Sequence, residues 1–318
     1  MEVETGAFAG LFGRSPAMER LRQEIARLGP RELCVHVFGE TGSGKEMVAR
    51  ALHALSPRVR RKLVPVNVAG VSDELLASEL FGHARGAYTG AATDREGYVA
   101  EAEGGTLFID EVGDMSVLAQ VRLLRFLEGG EYRRVGDTAL RRANVRVISA
   151  THVDLARRVR EGRFRQDLWF RLNDGQILVP PLRERGADVL LLAERFLRME
   201  ATRHGEEPPA LSREVEEALL GYGWPGNVRQ LKSEMRRLVV RAAGREATAE
   251  DLSRELREGP GRRVGTLRAA LEQRETEIVR EALDRNGGIV ARAAAELGIT
   301  RQALWVKVRR RGLVSEGV

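Results

Sequence analysis

Seven residues, Gly39-Glu40-Thr41-Gly42-Ser43-Gly44-Lys45, follow the apolar run Leu33 to Phe38 and lead into a segment suited to a helix beginning near Gly44. A strand, a glycine-rich turn and a helix N-terminus in that order make a phosphate cradle. The glycines let successive backbone N–H groups converge on phosphate oxygens, the helix end adds partial positive charge, and Lys45 reaches the terminal phosphates. Further on, Thr106-Leu107-Phe108-Ile109-Asp110-Glu111 reads as a buried strand carrying two carboxylates to its C-terminal end. One of these carboxylates can hold Mg²⁺ and the other can polarise a water. Together the two segments describe a machine that hydrolyses a nucleotide. Taken alone the first is also compatible with a plain glycine-rich turn capping a strand, because Glu46 stands where a Ser or Thr would ligand Mg²⁺.

Glu46 in that place, the segment Glu79-Leu80-Phe81-Gly82-His83 and the hexapeptide Gly86-Ala87-Tyr88-Thr89-Gly90-Ala91 resemble the bacterial enhancer-binding proteins. Those are AAA+ ATPases that remodel the sigma-54 form of RNA polymerase, and the resemblance runs from about Leu11 to Leu313. It implies ATP and Mg²⁺ as cofactors, with Gly39 to Glu46 on the nucleotide and the hexapeptide as the sigma-54 contact. Val66-Asn67-Val68-Ala69 matches a family segment whose asparagine holds the catalytic glutamate until nucleotide is sensed; an asparagine finishing a strand with a local turn is the alternative. Ala150-Thr151-His152 stands where the family commonly has Ala-Thr-Asn for sensing the γ-phosphate, so Thr151 keeps the pattern and His152 departs from it. Arg165 and Arg171 match the positions of arginines supplied from a neighbouring subunit to neutralise charge on the transferred phosphoryl group. A solvated helix face is their alternative. Gly223-Trp224-Pro225-Gly226-Asn227-Val228-Arg229 resembles the second sensor, in which Arg229 reaches back to nucleotide, with Gln230 in place of the commoner glutamate.

The organisation follows from the pattern along the chain. Met18, Leu21, Ile25 and Leu28 recur at helical spacing after a Ser-Pro start. The strand candidates Leu33–Phe38, Leu63–Val68, Thr106–Ile109, Val145–Ala150 and Ile177–Val179 alternate with helical stretches. That alternation predicts an α/β fold: a parallel sheet covered on both faces, with ligands at the carboxyl ends of its strands. The expected divisions are a tail at 1–10, an AAA+ ATPase subdomain at 11–185, a small helical lid at 186–243, a linker at 244–265 broken by Gly259-Pro260-Gly261, and an all-α helix-turn-helix domain at 266–318. The ten residues before Leu11 are too few for a receiver or sensing domain, so control in trans, no control in cis, or a longer parent chain are all open.

In the last segment, Val290, Ala293, Ala294 and Leu297 mark one helix face, Gly298 stops that helix, and Thr300 caps another bearing Leu304 and Val308. From Pro260 onward twelve basic side chains meet seven acidic ones, a net of +5 out of the chain's formal +6. A basic second helix after such a turn suits phosphate contacts and base readout in double-stranded DNA. The segment resembles the Fis-type domain that ends these activators, with Thr300, Arg301, Gln302, Trp305, Arg309 and Arg310 as its expected DNA contacts.

One cysteine, Cys34, excludes an internal disulfide and suits a reducing cytoplasm, and no apolar run approaches a membrane span. The five histidines show no metal-ligand spacing. The resulting expectation is a cytoplasmic ATP-driven activator. The resemblance implies that it binds upstream DNA and assembles into a homo-oligomeric ring, hexameric when active and dimeric when inactive. It then moves the Tyr88-Thr89 loop against sigma-54 so that the closed promoter complex opens. A DNA-binding AAA+ repressor or scaffold uncoupled from sigma-54 is the alternative, and an AAA+ protein of replication or repair would lack both the loop and the C-terminal domain.

Overall fold

A computed structural model describes residues 8, 10–88, 91–258, 278, 279, 282, 283, 285, 286, 290–299 and 304. In order, the first compact unit, residues 1–259, carries α1 (Pro16–Leu28), β1 (Val35–Phe38), α2 (Lys45–Ala54), β2 (Leu63–Asn67), α3 (Asp73–Phe81), β3 (Gly82–His83), β4 (Arg95–Glu96), α4 (Tyr98–Glu101), β5 (Thr106–Asp110) and α5 (Val117–Gly129). There follow β6 (Glu131–Tyr132), β7 (Arg141–Arg142), β8 (Arg146–Thr151), α6 (Leu155–Arg160), α7 (Gln166–Leu172), β9 (Gly175–Leu178), α8 (Asp188–His204), α9 (Arg213–Gly221), α10 (Asn227–Ala242) and α11 (Arg254–Glu258).

Five strands form one parallel sheet in the order β2-β5-β8-β1-β9. Its faces are set by the two-residue alternation of strand side chains. Val64, Val66, Leu107, Ile109 and Val147 pack with helix residues such as Leu80, Leu123 and Leu168. Val35, Val37, Phe108, Ile148 and Ala150 pack with Met18, Ile25, Val48 and Leu52 of α1 and α2. Burial on both faces is what makes these strands read as continuous apolar runs. Arg146, only 3% exposed, ties this arrangement together by donating to the carbonyls of Gly29 (2.7 Å), Leu28 (3.0 Å) and Leu33 (3.4 Å). The first strand begins two residues later than expected. Leu33 and Cys34 precede it, and Cys34 is half-buried, with burial pushing its thiol up to about 11.

The helices α8 to α11 build a second core around Trp224, whose Nε1 donates to Leu219 O at 2.9 Å. Here the expected linker is corrected. Ala247, Leu252 and Leu256 are buried in this core, so residues 244–258 belong to the helical subdomain. The chain is held there by Thr248 and Asp251, which cap each other's backbone, and by Ala247 N, which donates to Ala210 O at 2.8 Å. Such caps look like loop in a charged sequence because the apolar residues between them are few.

In the second unit, residues 260–318, a helix spans Val290–Glu296 and buries Ala293 and Ala294 with Val279, Ala282, Leu283 and Leu304. Gly298, at φ +66°, follows it, with Ile299 N donating back to Ala294 O at 3.1 Å. That is the helix stop the glycine predicts. Thr300, Arg301, Gln302, Trp305, Arg309 and Arg310 lie outside the described residues, as do Thr89 and Gly90. Among the described residues no helix is long and apolar enough to cross a membrane.

Candidate nucleotide site

The cradle leaves β1 at Phe38 and enters α2 at Lys45, with Gly44 as N-cap at φ +107°. Gly42 is also left-handed, at φ +75°, and an added Cβ there would lie 2.5 Å from Gly226 O. Only glycine permits that approach to the lid. At Gly44 a Cβ would meet nothing within 4 Å, so an open concavity faces the helix N-terminus. Ser43 is buried and its Oγ has no hydrogen-bond partner. An orphaned buried hydroxyl beside open N–H groups fits a phosphate-bearing ligand. Beside it lies a cavity of about 370 Å³ walled by Leu11, Phe12, Met18, Met47, Leu192 and Phe196. Apolar walls next to a phosphate cradle suit a flat base. These walls escape a motif search because the N-terminal segment and the lid supply them separately.

Lys45 Nζ donates to Gly39 O at 3.1 Å and lies 3.4 Å from Glu111 Oε1. Asp110 and Glu111 close β5 as expected. Burial and the adjacent Glu111 raise the Asp110 carboxyl above its ordinary range, and its Oδ1 accepts from Glu111 N at 3.1 Å. A half-buried acid whose carboxyl is held above its ordinary range beside a phosphate cradle is chemically fit to share Mg²⁺ with a nucleotide. Glu46, by contrast, is exposed and paired with Arg50 at 2.6 Å, directed along the helix surface.

Glu111 adopts φ +58°, a left-handed conformation uncommon for its type. This turns its carboxylate toward β8. Oε2 accepts from Thr151 Oγ1 (3.3 Å), His152 N (3.2 Å) and His152 Nδ1 (2.7 Å). Burial pushes the carboxyl up, but the His152 bond and the Lys45 charge outweigh it and hold it below its usual value. The expected Asn67–Glu111 contact is therefore corrected. Asn67 pairs in register with Asp110, yet it is exposed and its Oδ1 accepts from Ala69 N at 2.9 Å. A strand-ending Asx turn takes the asparagine, and the backbone twist at Glu111 takes the glutamate the other way.

The lid approaches through residues to which the sequence gives no evident role. Asn227, buried and at φ +51°, accepts from Leu182 N (2.8 Å) and donates to Glu40 Oε2 (3.0 Å) and Thr41 O (3.1 Å). Arg183 pairs with both oxygens of Glu40, at 2.8 and 2.6 Å. Arg185 is buried, donates to Ser43 O at 2.6 Å, and is lowered by burial to about 10. The Pro180 to Arg185 segment carries these two cradle contacts, and its paired arginines are the sequence signal for them. Arg229 is exposed in the first turn of α10, its N 3.4 Å from Gly42 O. Gln230 bonds to Gly226 N and Tyr222 Oη.

Arg165 and Arg171 lie away from this cleft. Arg165 pairs with Asp167 at 2.6 Å, and Arg171 donates to Leu127 O at 3.0 Å; both are exposed. Gly86 to Tyr88 follow β3 outside any helix or strand. Gly86 N donates to Ala91 O at 2.9 Å and Ala91 N to Tyr88 O at 3.0 Å, which closes the base of the hexapeptide. Tyr88 is 41% exposed, with its ring edge-on to His83 at 5.2 Å, while Gly136 of the β6–β7 connection backs onto Ala87.

Residues 11–178 match the Sigma-54 interaction domain, 183–266 the AAA+ ATPase lid domain, and 270–310 the bacterial regulatory protein, Fis family. The transcriptional regulatory protein ZraR of Salmonella typhimurium is 45% identical over 303 residues, covering 95% of this chain and 68% of that protein. The DNA-binding transcriptional regulator NtrC of the same organism is 48% identical over 251 residues, covering 79% of this chain and 54% of that protein. The crystal structure of NtrX from Brucella abortus in complex with ATP superposes with a TM-score of 0.73 at 35% identity, covering 95% of this chain and 69% of that one. With the cradle, the paired carboxylates and the lid already joined in one cleft, these likenesses make the chain a member of the sigma-54-dependent transcriptional activators, AAA+ ATPases with a Fis-type helix-turn-helix.

Proposed function

We propose that the chain couples ATP hydrolysis to remodelling of the sigma-54 RNA polymerase closed complex, from an upstream DNA site held by its C-terminal domain. The observation that carries the reading is the convergence of Lys45, Asp110, Glu111 and the lid residue Asn227 around one phosphate cradle, with Tyr88 exposed on the same subdomain.

The cradle N–H groups and Lys45 bind the phosphates, and Arg229 approaches them as the lid closes. Asp110 would hold Mg²⁺, which when bound would supply positive charge to the nucleotide phosphates. Glu111 accepts a proton from the attacking water, and Thr151 senses the γ-phosphate from the end of β8. Arg165 and Arg171, exposed on α7 and its N-cap, act on the nucleotide of a neighbouring subunit in a homo-oligomeric ring. The ring is hexameric when active. The Tyr88 ring and the Thr89 hydroxyl engage sigma-54, and Thr300, Arg301, Gln302, Trp305, Arg309 and Arg310 engage DNA.

Glu111→Gln tests the chemistry, because an amide cannot take the water's proton. ATP binding is expected to persist while turnover falls on the order of a hundredfold or more. Turnover within a fewfold of wild type would remove Glu111 from that role. Retention of the Gly86–Ala91 loop weighs against the uncoupled repressor.

A further inference from the structure

Four donors occupy the Glu111 carboxylate: Lys45 Nζ on Oε1, and Thr151 Oγ1, His152 N and His152 Nδ1 on Oε2. An ionised carboxylate only accepts, so Nδ1 carries the proton in that contact. A carboxylate with both oxygens so engaged is a weak acceptor for a water's proton. The four donors differ in their freedom. Thr151 and the His152 amide are fixed by β8, whose last residue Thr151 is fully buried. Lys45 is 7% exposed and is drawn off by any phosphate placed in the cradle. The His152 side chain is 43% exposed, makes the shortest of the four contacts, and can swing into solvent without moving the backbone. Asn67, turned onto Ala69, leaves that task to the histidine.

We propose that His152 is the positioning residue that holds Glu111 in its resting orientation, and that release of the His152 ring frees the carboxylate for hydrolysis. This rests on the ATPase reading above. In this chain the restraint on the glutamate comes from β8, across the sheet from the position at which the family places it.

The test is steady-state ATP hydrolysis by the full chain, without polymerase, for wild type, His152→Ala, His152→Asn and each histidine variant combined with Glu111→Gln. Loss of one hydrogen bond worth about 1 kcal/mol corresponds to roughly a fivefold change in rate. His152→Ala is expected to raise kcat by about that factor with KM within about twofold. His152→Asn, whose amide can donate from nearly the same place, is expected to fall between the two. In the Glu111→Gln background neither substitution should raise the rate. An unchanged or lowered kcat in His152→Ala, with an unchanged melting temperature, overturns the proposal. So does an equal gain in the Glu111→Gln background, since the effect would then bypass the carboxylate. Wild-type hydrolysis no faster than that of Glu111→Gln overturns the ATPase reading itself, and the proposal with it.

Discussion

Asn227 Nδ2 lies 3.0 Å from Glu40 Oε2, a hydrogen bond from the first residue of lid helix α10 to the phosphate cradle. The same side chain bonds Thr41 O and Leu182 N, so one buried amide joins cradle, connector and lid. Its φ of +51° suits asparagine better than a residue with a plain Cβ.

Asn227→Ala is therefore expected to lower both stability and ATP affinity. Leaving the buried Leu182 N–H unpaired costs about 1–3 kcal/mol, and the left-handed alanine adds roughly 1–2 kcal/mol. Asn227→Gly should recover the backbone part in thermal melting yet bind ATP as weakly as Asn227→Ala. Wild-type ATP affinity in the glycine variant would show that the lid contact is dispensable.

The arginine fingers are tested by mixing. Among the described residues the Arg165 side chain bonds Asp167 and the Arg171 side chain bonds Leu127 O, and neither bond reaches the cradle of the same chain. Arg165→Ala alone should be inactive, and Glu111→Gln alone likewise. Mixed rings contain sites with an intact glutamate from one subunit and an intact arginine from the next, so partial ATPase activity should return. If exchanging, assembled mixtures stay inactive, the in-trans role is lost.

Asp251 makes a pH prediction. Its carboxylate accepts from both Arg245 Nη atoms (2.7 and 2.6 Å) and from Thr248 N (2.9 Å) and Oγ1 (3.2 Å), and the Arg245 bonds lead in holding it well below the usual carboxylate range. A depressed folded-state pKa contributes stability that is complete above the unfolded value near about pH 4 and is lost as pH falls further. Melting temperature should drop steeply below about pH 4 in the wild type. Asp251→Asn should start lower at pH 7 and fall less. Parallel curves would mean that Asp251 does not govern the acid limb.

The parallel strands were readable because burial on two faces writes continuous apolar runs, as in Thr106 to Ile109. The cradle was readable because its glycines are required by φ and by the approach of Gly226 to Gly42. The partner of Glu111 was not readable. It depends on one backbone dihedral, and nothing local in the sequence says whether the carboxylate turns toward Asn67 on β2 or His152 beyond β8. Arg183 and Arg185 are ordinary arginines until the turn after Pro181 brings them onto Glu40 and Ser43. The buried Leu252 and Leu256 read as linker in the sequence because a short capped turn between charged residues has no helical period to display.

The coupling of hydrolysis to promoter opening is tested most directly at Thr89. ATPase rate and open-complex formation are measured on the same preparations of wild type and Thr89→Ala, with sigma-54 RNA polymerase and promoter DNA supplied. The wild type should open the promoter only with hydrolysable ATP, and Thr89→Ala should hydrolyse ATP within about twofold of wild type while opening none. Full promoter opening by Thr89→Ala would contradict the account.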